Sequence, residues 1–123
     1  MTNRQLQKVA VIVSLMFLPT PLFKLTDFFL AVQFVTKWGI PLWMMHFIGA
    51  SELAGAIGLL VPRTRPAAAF ALFLLMIGGL VTHLTHAEYF FAVMPIIYGA
   101  ALYLILEGSL PQFSVQEPVR ARV

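Results

Sequence analysis

Polar residues along this chain are gathered into a few short breaks, and the stretches between them are almost wholly apolar. After a polar start, Met1 to Lys8, apolar residues run from Val9 past Pro19-Thr20-Pro21 to about Leu25. A second run extends from Pro41 to Val61, a third from Pro66 to His83 or one turn beyond, and a fourth from Tyr89 to Leu106. Each approaches the ~20 residues that carry a helix across a ~30 Å hydrocarbon core at ~1.5 Å per residue. The pattern predicts an all-α membrane protein, a four-transmembrane-helix antiparallel bundle. Pro19 and Pro21 each remove a backbone donor and are expected to bend or loosen the outer end of the first helix. Glu107-Gly108-Ser109 is expected to stop the fourth.

One apolar run does not fit the spanning length. Phe28 to Val35 is too short to cross, so it predicts an interfacial or re-entrant segment between the first two helices, with Asp27 as its N-cap. Trp38-Gly39-Ile40-Pro41 turns the chain into the second helix, and Trp38 and Trp43 flank that point as interfacial aromatics do. The basic start followed by a short apolar run resembles a signal peptide. Leu18-Pro-Thr-Pro-Leu22, however, offers no small-x-small cleavage site, and the apolar residues continue beyond it.

Composition agrees with lipid as the solvent. Of 123 residues, 60% are hydrophobic and 11% charged, against about 25% charged in an ordinary soluble domain. The +3 charge does not point to nucleic acid, because the basic residues lie between apolar runs rather than in one patch. Arg4, Lys8, Arg63, Arg65, Arg120 and Arg122 fall on one side of a four-span topology and only Lys24 and Lys37 on the other. The positive-inside rule therefore places both termini in the cytoplasm. Cysteine is absent, which excludes disulfides, thiol catalysis and Cys-ligated metals. The length gives one domain, residues 1–109, followed by a cytoplasmic tail, 110–123, polar enough to be disordered.

Glu52 is the residue the pattern makes conspicuous. It sits inside the second helix, where a charge costs at least ~2.5 kcal/mol at mid-bilayer. Small residues surround it: Gly49, Gly55 and Gly58, with Ala50, Ala54 and Gly58 spaced by four. That spacing lets a neighbouring helix come close and turns Glu52 into the bundle. Two readings follow. Glu52 is either a neutral carboxyl hydrogen-bonded to another helix, since desolvation raises a carboxyl pKa, or a ligand contact and proton donor in a cavity open to the outer leaflet.

The histidines are weaker signals. His83 and His86 share a helix face at i, i+3, yet two ligands are not a metal site, and Glu88 would have to swing back to join them. No metal is expected. His46 lies about 120° around the helix from Glu52 and does not share its face. Lys24, Asp27, His46 and His86 remain as polar groups able to contact a ligand. No nucleotide or haem pattern is present.

Phe17…Lys24-Leu25, Gly39-Ile-Pro41, the block from Gly49 through Glu52, Gly55 and Gly58 to Leu60, Pro62-Arg63, His83 and Pro95 together resemble the DoxX-like family of small four-helix membrane proteins. The likeness covers roughly residues 9–106. Leu18-Pro-Thr-Pro21 departs from the small residues more usual ahead of the lysine. The resemblance implies a four-helix bundle in a bacterial-type inner membrane, and it marks Glu52 and His83 as matching the family's polar residues. It allows a quinone as cofactor, because the family is named for a subunit linked to quinone-dependent sulfur oxidation, although no cofactor is identified by the residues themselves. Related four-helix proteins resemble sterol isomerases, which protonate substrate inside the membrane.

Two functions therefore stay open. One is a small subunit or accessory factor of a membrane assembly, in contact with lipid and with a membrane-protein partner or further copies of itself. The other is a membrane enzyme or lipid- or quinone-binding protein that uses Glu52 and His83 for intramembrane proton transfer. The short chain, short loops and scarcity of reactive groups favour the first.

Overall fold

The structure, a computed structural model, describes residues 2–110. These form six α-helices in chain order: α1 (Asn3–Phe17), α2 (Pro19–Thr26), α3 (Phe28–Thr36), α4 (Leu42–Leu60), α5 (Arg65–Thr85) and α6 (Tyr89–Ser109). Four stretches are long and apolar enough to cross a membrane: α1 and α2 together (Asn3–Thr26), α4, α5 and α6. The described residues contain no strand. The predicted four-span bundle with a short extra segment is the observed architecture.

The ends of the helices differ from expectation for local reasons. The first span begins at Asn3 rather than Val9, because Thr2 and Gln5 form a capping box. The Gln5 amide donates to Thr2 Oγ1 at 3.1 Å and the Thr2 amide to Gln5 Oε1 at 2.9 Å, which satisfies orphan donors at the helix start. The first span is interrupted by a bend at Leu18, just ahead of the prolines, which divides it into α1 and α2. Pro19 opens α2 at its first position, where a missing N–H costs nothing. Leu18 keeps helical angles of φ −66° and ψ −44° between the two segments. α6 runs three residues past Leu106 and ends at Ser109, whose hydroxyl donates to the Ile105 carbonyl at 2.7 Å. The expected tail lies outside the described residues from Pro111 onward.

The predicted short segment is α3. Asp27 caps it as expected, its Oδ1 accepting the amides of Phe29 at 2.9 Å and Leu30 at 3.2 Å. Phe28 and Phe29 are largely exposed while Phe34 is buried, so one face meets lipid and the other the bundle. Gly39, at φ +64°, turns the chain toward α4 through a conformation that residues with a Cβ rarely adopt.

Helix packing uses the small residues of α4 on two faces. A Cβ placed on Gly55 would lie 2.6 Å from Leu72 Cγ of α5, and one on Gly58 would lie 2.9 Å from Ala68 Cβ. One on Gly49 would lie 3.0 Å from Lys24 Cβ of α2. Close backbone approach and dispersion hold such crossings together where lipid removes the hydrophobic driving force. Ala50 and Ala54 do not join them; they are exposed, and of the row Ala50, Ala54, Gly58 only Gly58 meets α5. Phe17, Ala56, Leu59, Leu72, Leu102 and Ile105 fill the centre. The Ser14 hydroxyl donates to the Ala56 carbonyl at 2.7 Å, tying α1 to α4.

Candidate functional site

Two of the carboxylates gather polar side chains around them, Glu52 inside the bundle and Glu88 at the end where α5 turns into α6; these are called the inner and outer centres. The inner centre is built on α2 and α4. Thr20 and Lys24 are one turn apart on α2 and therefore share a face. Glu52 on α4 is buried, its side chain only 3% exposed. Lys24 Nζ lies 2.6 Å from Glu52 Oε1, and Thr20 Oγ1 donates to Oε2 at 3.4 Å. Glu52 sits ten residues beyond Leu42, about 15 Å along the helix. Lys24 reaches it because Gly49 lets α2 press against α4 at the level of the lysine's own Cβ.

This geometry revises the sequence reading. Glu52 does turn into the bundle, and it does bond to another helix. Its partner is Lys24, read from the sequence as a possible ligand contact. Two opposite charges at hydrogen-bond distance offset much of each other's desolvation. A signal was present: Thr20 and Lys24 at i, i+4 on a helix facing the glycine-lined side of α4.

The outer centre is built on Glu88, in the turn between α5 and α6. Lys37 Nζ lies 2.5 Å from its Oε2. Trp38 Nε1–H donates to Oε1 at 2.8 Å, and His83 Nδ1 lies 3.2 Å from the same oxygen. The Trp38 ring stands edge-on to His83 at 5.8 Å and to Phe34 at 4.9 Å. One carboxylate thus gathers three donors and ties the segment after α3 to the α5–α6 turn. The bonded Lys37 ammonium is the main cause that lowers the Glu88 pKa to about 2; the bonds from Trp38 and His83 add to it and desolvation opposes it. Ala87, at φ +56°, makes the tight turn that brings Glu88 back over His83.

The remaining candidates disperse. His86 does not join His83; its Nδ1 lies 2.8 Å from the Thr82 carbonyl oxygen, and the side chain is exposed. His46 is exposed on α4. Asp27 is occupied as the α3 cap. No bond joins Glu52 to His83, which belong to different centres with different partners. Among the described residues no three His, Asp or Glu side chains converge as metal ligands would.

Two further features were not legible beforehand. Arg65 is buried at the start of α5; its Nε donates to the Leu59 carbonyl at 2.8 Å, and a terminal nitrogen donates to Gln7 Oε1. It joins α1, α4 and α5 at the end of the bundle opposite Glu88. An apolar groove of about 480 Å³ lies between α5 and α6, lined among others by Phe73, Met76, Leu80, Pro95, Gly99 and Tyr103. Neither Glu52 nor His83 lines it.

The profile of the DoxX-like family matches residues 8–105. Neither the curated proteins nor the solved structures contain a significant match to this chain.

Proposed function

This chain belongs to the DoxX-like family, and from that premise we propose that it is a small, non-catalytic subunit or accessory factor of a membrane assembly. Its four apolar spans make it a multi-pass membrane protein in contact with lipid. The observation that carries the proposal is the state of Glu52. Its two carboxylate oxygens already face Lys24 and Thr20 at a helix crossing tight enough to require Gly49. A proton donor needs an acceptor within hydrogen-bond reach in a plausible substrate pose, and here the bundle itself occupies those positions. The partner in this reading is another membrane protein or a second copy of the chain, in a bacterial-type inner membrane with both termini cytoplasmic.

Glu52→Gln tests it. The substitution keeps an oxygen for Lys24 but removes the charge. Partner retention in detergent extracts should persist, with stability lowered by about 1.5–3 kcal/mol, the contribution of a hydrogen bond to a charged group. Collapse of a measurable turnover with folding intact would instead make Glu52 a reacting group. For the topology, cysteines at Thr64 and Ala87 should label from opposite sides of the membrane.

The groove between α5 and α6 supports a second reading, a lipid- or quinone-binding component of a redox assembly. Its apolar lining suits a hydrocarbon or isoprenoid chain. In this reading Glu52 and His83 shape the bundle rather than touch the chain. Leu80→Trp should fill the groove and lower quinone retention while leaving assembly unchanged.

A further inference from the structure

Glycines in this bundle do two different things. At Gly49, Gly55 and Gly58 an added Cβ would lie 3.0, 2.6 and 2.9 Å from a side chain of a neighbouring helix, so the close crossings depend on having none. Gly99 on α6 is also buried. There an added Cβ would sit 3.8 Å from Met76 Cβ and 3.9 Å from Phe73 Cε2, which is ordinary van der Waals contact. The α5–α6 crossing would accept a methyl at this point. What Gly99 leaves is room, and with Phe73, Met76 and Tyr103 it lines the groove of about 480 Å³ between the two helices.

One hydroxyl interrupts this apolar lining. The Tyr103 ring stands beside Phe73, 6.5 Å between centroids, and its hydroxyl makes no hydrogen bond with any described residue. The depth of that group gives it meaning. α6 is 21 residues long, about 32 Å, close to the ~30 Å thickness of the hydrocarbon. Tyr103 comes six residues before its end at Ser109, about 9 Å inside. Side chains on a helix lean toward its N-terminus, which carries the phenol further from that end rather than out to the interface. A hydroxyl without a partner is strongly unfavourable in hydrocarbon, and tyrosines taken out of water ordinarily find one. At this depth a charged acceptor is costly, and the ester carbonyls of phospholipids belong to the interfacial layers outside the hydrocarbon.

We infer that the groove holds an uncharged long-chain molecule whose head carries a carbonyl, that of a ketone or a quinone, and that the Tyr103 hydroxyl donates a hydrogen bond to it. The head lies at the Tyr103 end, and the apolar chain runs along Pro95 and Leu80 toward the turn at Glu88. The inference rests on the second reading above, in which the groove takes a hydrocarbon or isoprenoid chain. It adds the specificity: Tyr103 separates a carbonyl-headed molecule from a plain hydrocarbon of the same length, which the rest of the lining accepts equally.

The test uses the full chain in detergent, incubated with a long-chain methyl ketone or with the alkane of the same length, and native mass spectrometry counts the bound adducts. Partitioning into micelles is the same for every variant, so the ketone-to-alkane ratio is compared between variants. Tyr103→Phe should lower that ratio about two- to tenfold, the contribution of one neutral hydrogen bond, and leave the alkane adduct unchanged. Tyr98→Phe should leave the ratio unchanged, since that ring packs on Phe17 and does not line the groove. Leu80→Trp should reduce both adducts. An isoprenoid quinone forms a separate arm, and whichever carbonyl loses more adduct in Tyr103→Phe is the head the hydroxyl fits. Unchanged helical circular dichroism checks the fold of each variant. If Leu80→Trp lowers the adducts while Tyr103→Phe changes neither ketone nor quinone relative to alkane, the groove reading stands and this inference is overturned. An equal fall in Tyr98→Phe also overturns it. Adducts that Leu80→Trp leaves untouched overturn the groove reading itself, and this inference with it.

Discussion

The inner and outer centres use the same chemistry, a lysine on a glutamate, for different structural ends. Lys24–Glu52 lies between packed helices, with Glu52 almost wholly buried. Lys37–Glu88 lies at a turn, with the Lys37 side chain 49% exposed. In the first, Glu52 is shut away while Lys24 is 18% exposed, so loss of the lysine strands the carboxylate in a low-dielectric environment. In the second, the lysine is half in water while the Glu88 side chain is only 8% exposed, so the ion pair itself contributes little and the carboxylate keeps its other donors if Lys37 is lost. The outer centre gains its hold from convergence, since Lys37, Trp38 and His83 meet on one carboxylate. The contrast separates a pair that sets a helix crossing from a cluster that fastens a connecting segment.

The sharpest way to break the contrast is to remove one inner partner. Glu52→Leu should destabilise the protein in detergent by about 2–3 kcal/mol, because it leaves Lys24, whose side chain is 18% exposed, partly buried without a counter-charge. Lys24→Met combined with Glu52→Leu should recover most of that loss, since a buried pair replaced by apolar groups of similar volume is often near neutral. An uncorrected loss in the double variant would mean that the pair itself, not the stranded charge, supplies the stability.

Gly49→Ala tests whether the crossing depends on close approach. The added methyl would meet Lys24 Cβ at 3.0 Å and the Pro21 carbonyl oxygen at 3.3 Å. Overpacking of this kind costs about 1–3 kcal/mol, read as a lowered thermal midpoint. Ala54→Leu is the matched control. Ala54 is exposed, and its midpoint should stay within about 0.5 kcal/mol of wild type.

The outer centre should respond least in global stability and most clearly in local signals. Glu88 has a folded pKa of about 2 against an ordinary 4.5. Because the folded value is depressed, its contribution is fully present above about pH 4.5 and is lost as pH falls through about 2. Trp38 fluorescence should therefore hold constant from neutral pH to about 4.5 and shift to the red on further acidification. Glu88→Gln should shift it at neutral pH and abolish that acid transition, with little change in the thermal midpoint. A wild-type transition near neutral pH would mean that the Glu88 carboxylate is not what holds Trp38.

Much of this molecule was readable in one dimension. Apolar runs of spanning length set the four crossings, because a segment in lipid must satisfy its own backbone and only a long helix does so here. Asp27 announced α3 through its capping chemistry, and the glycines around Glu52 announced a close crossing. Helix ends were less legible, since the Thr2–Gln5 box and the placement of Pro19 at a helix start depend on how a few side chains meet the backbone. The pairings were not legible at all. Lys24 and Glu52 are 28 residues apart and Trp38 and Glu88 are 50 apart; no local period connects them. The sequence by itself determined the number of spans, their lengths and the need to bury Glu52, because these follow from hydropathy and local propensity. Only the tertiary structure decided that Lys24 answers Glu52 while Glu88 answers Lys37, Trp38 and His83. Which cation reaches which carboxylate depends on the helix crossings that Gly49, Gly55 and Gly58 allow, a property of the assembled bundle in three dimensions.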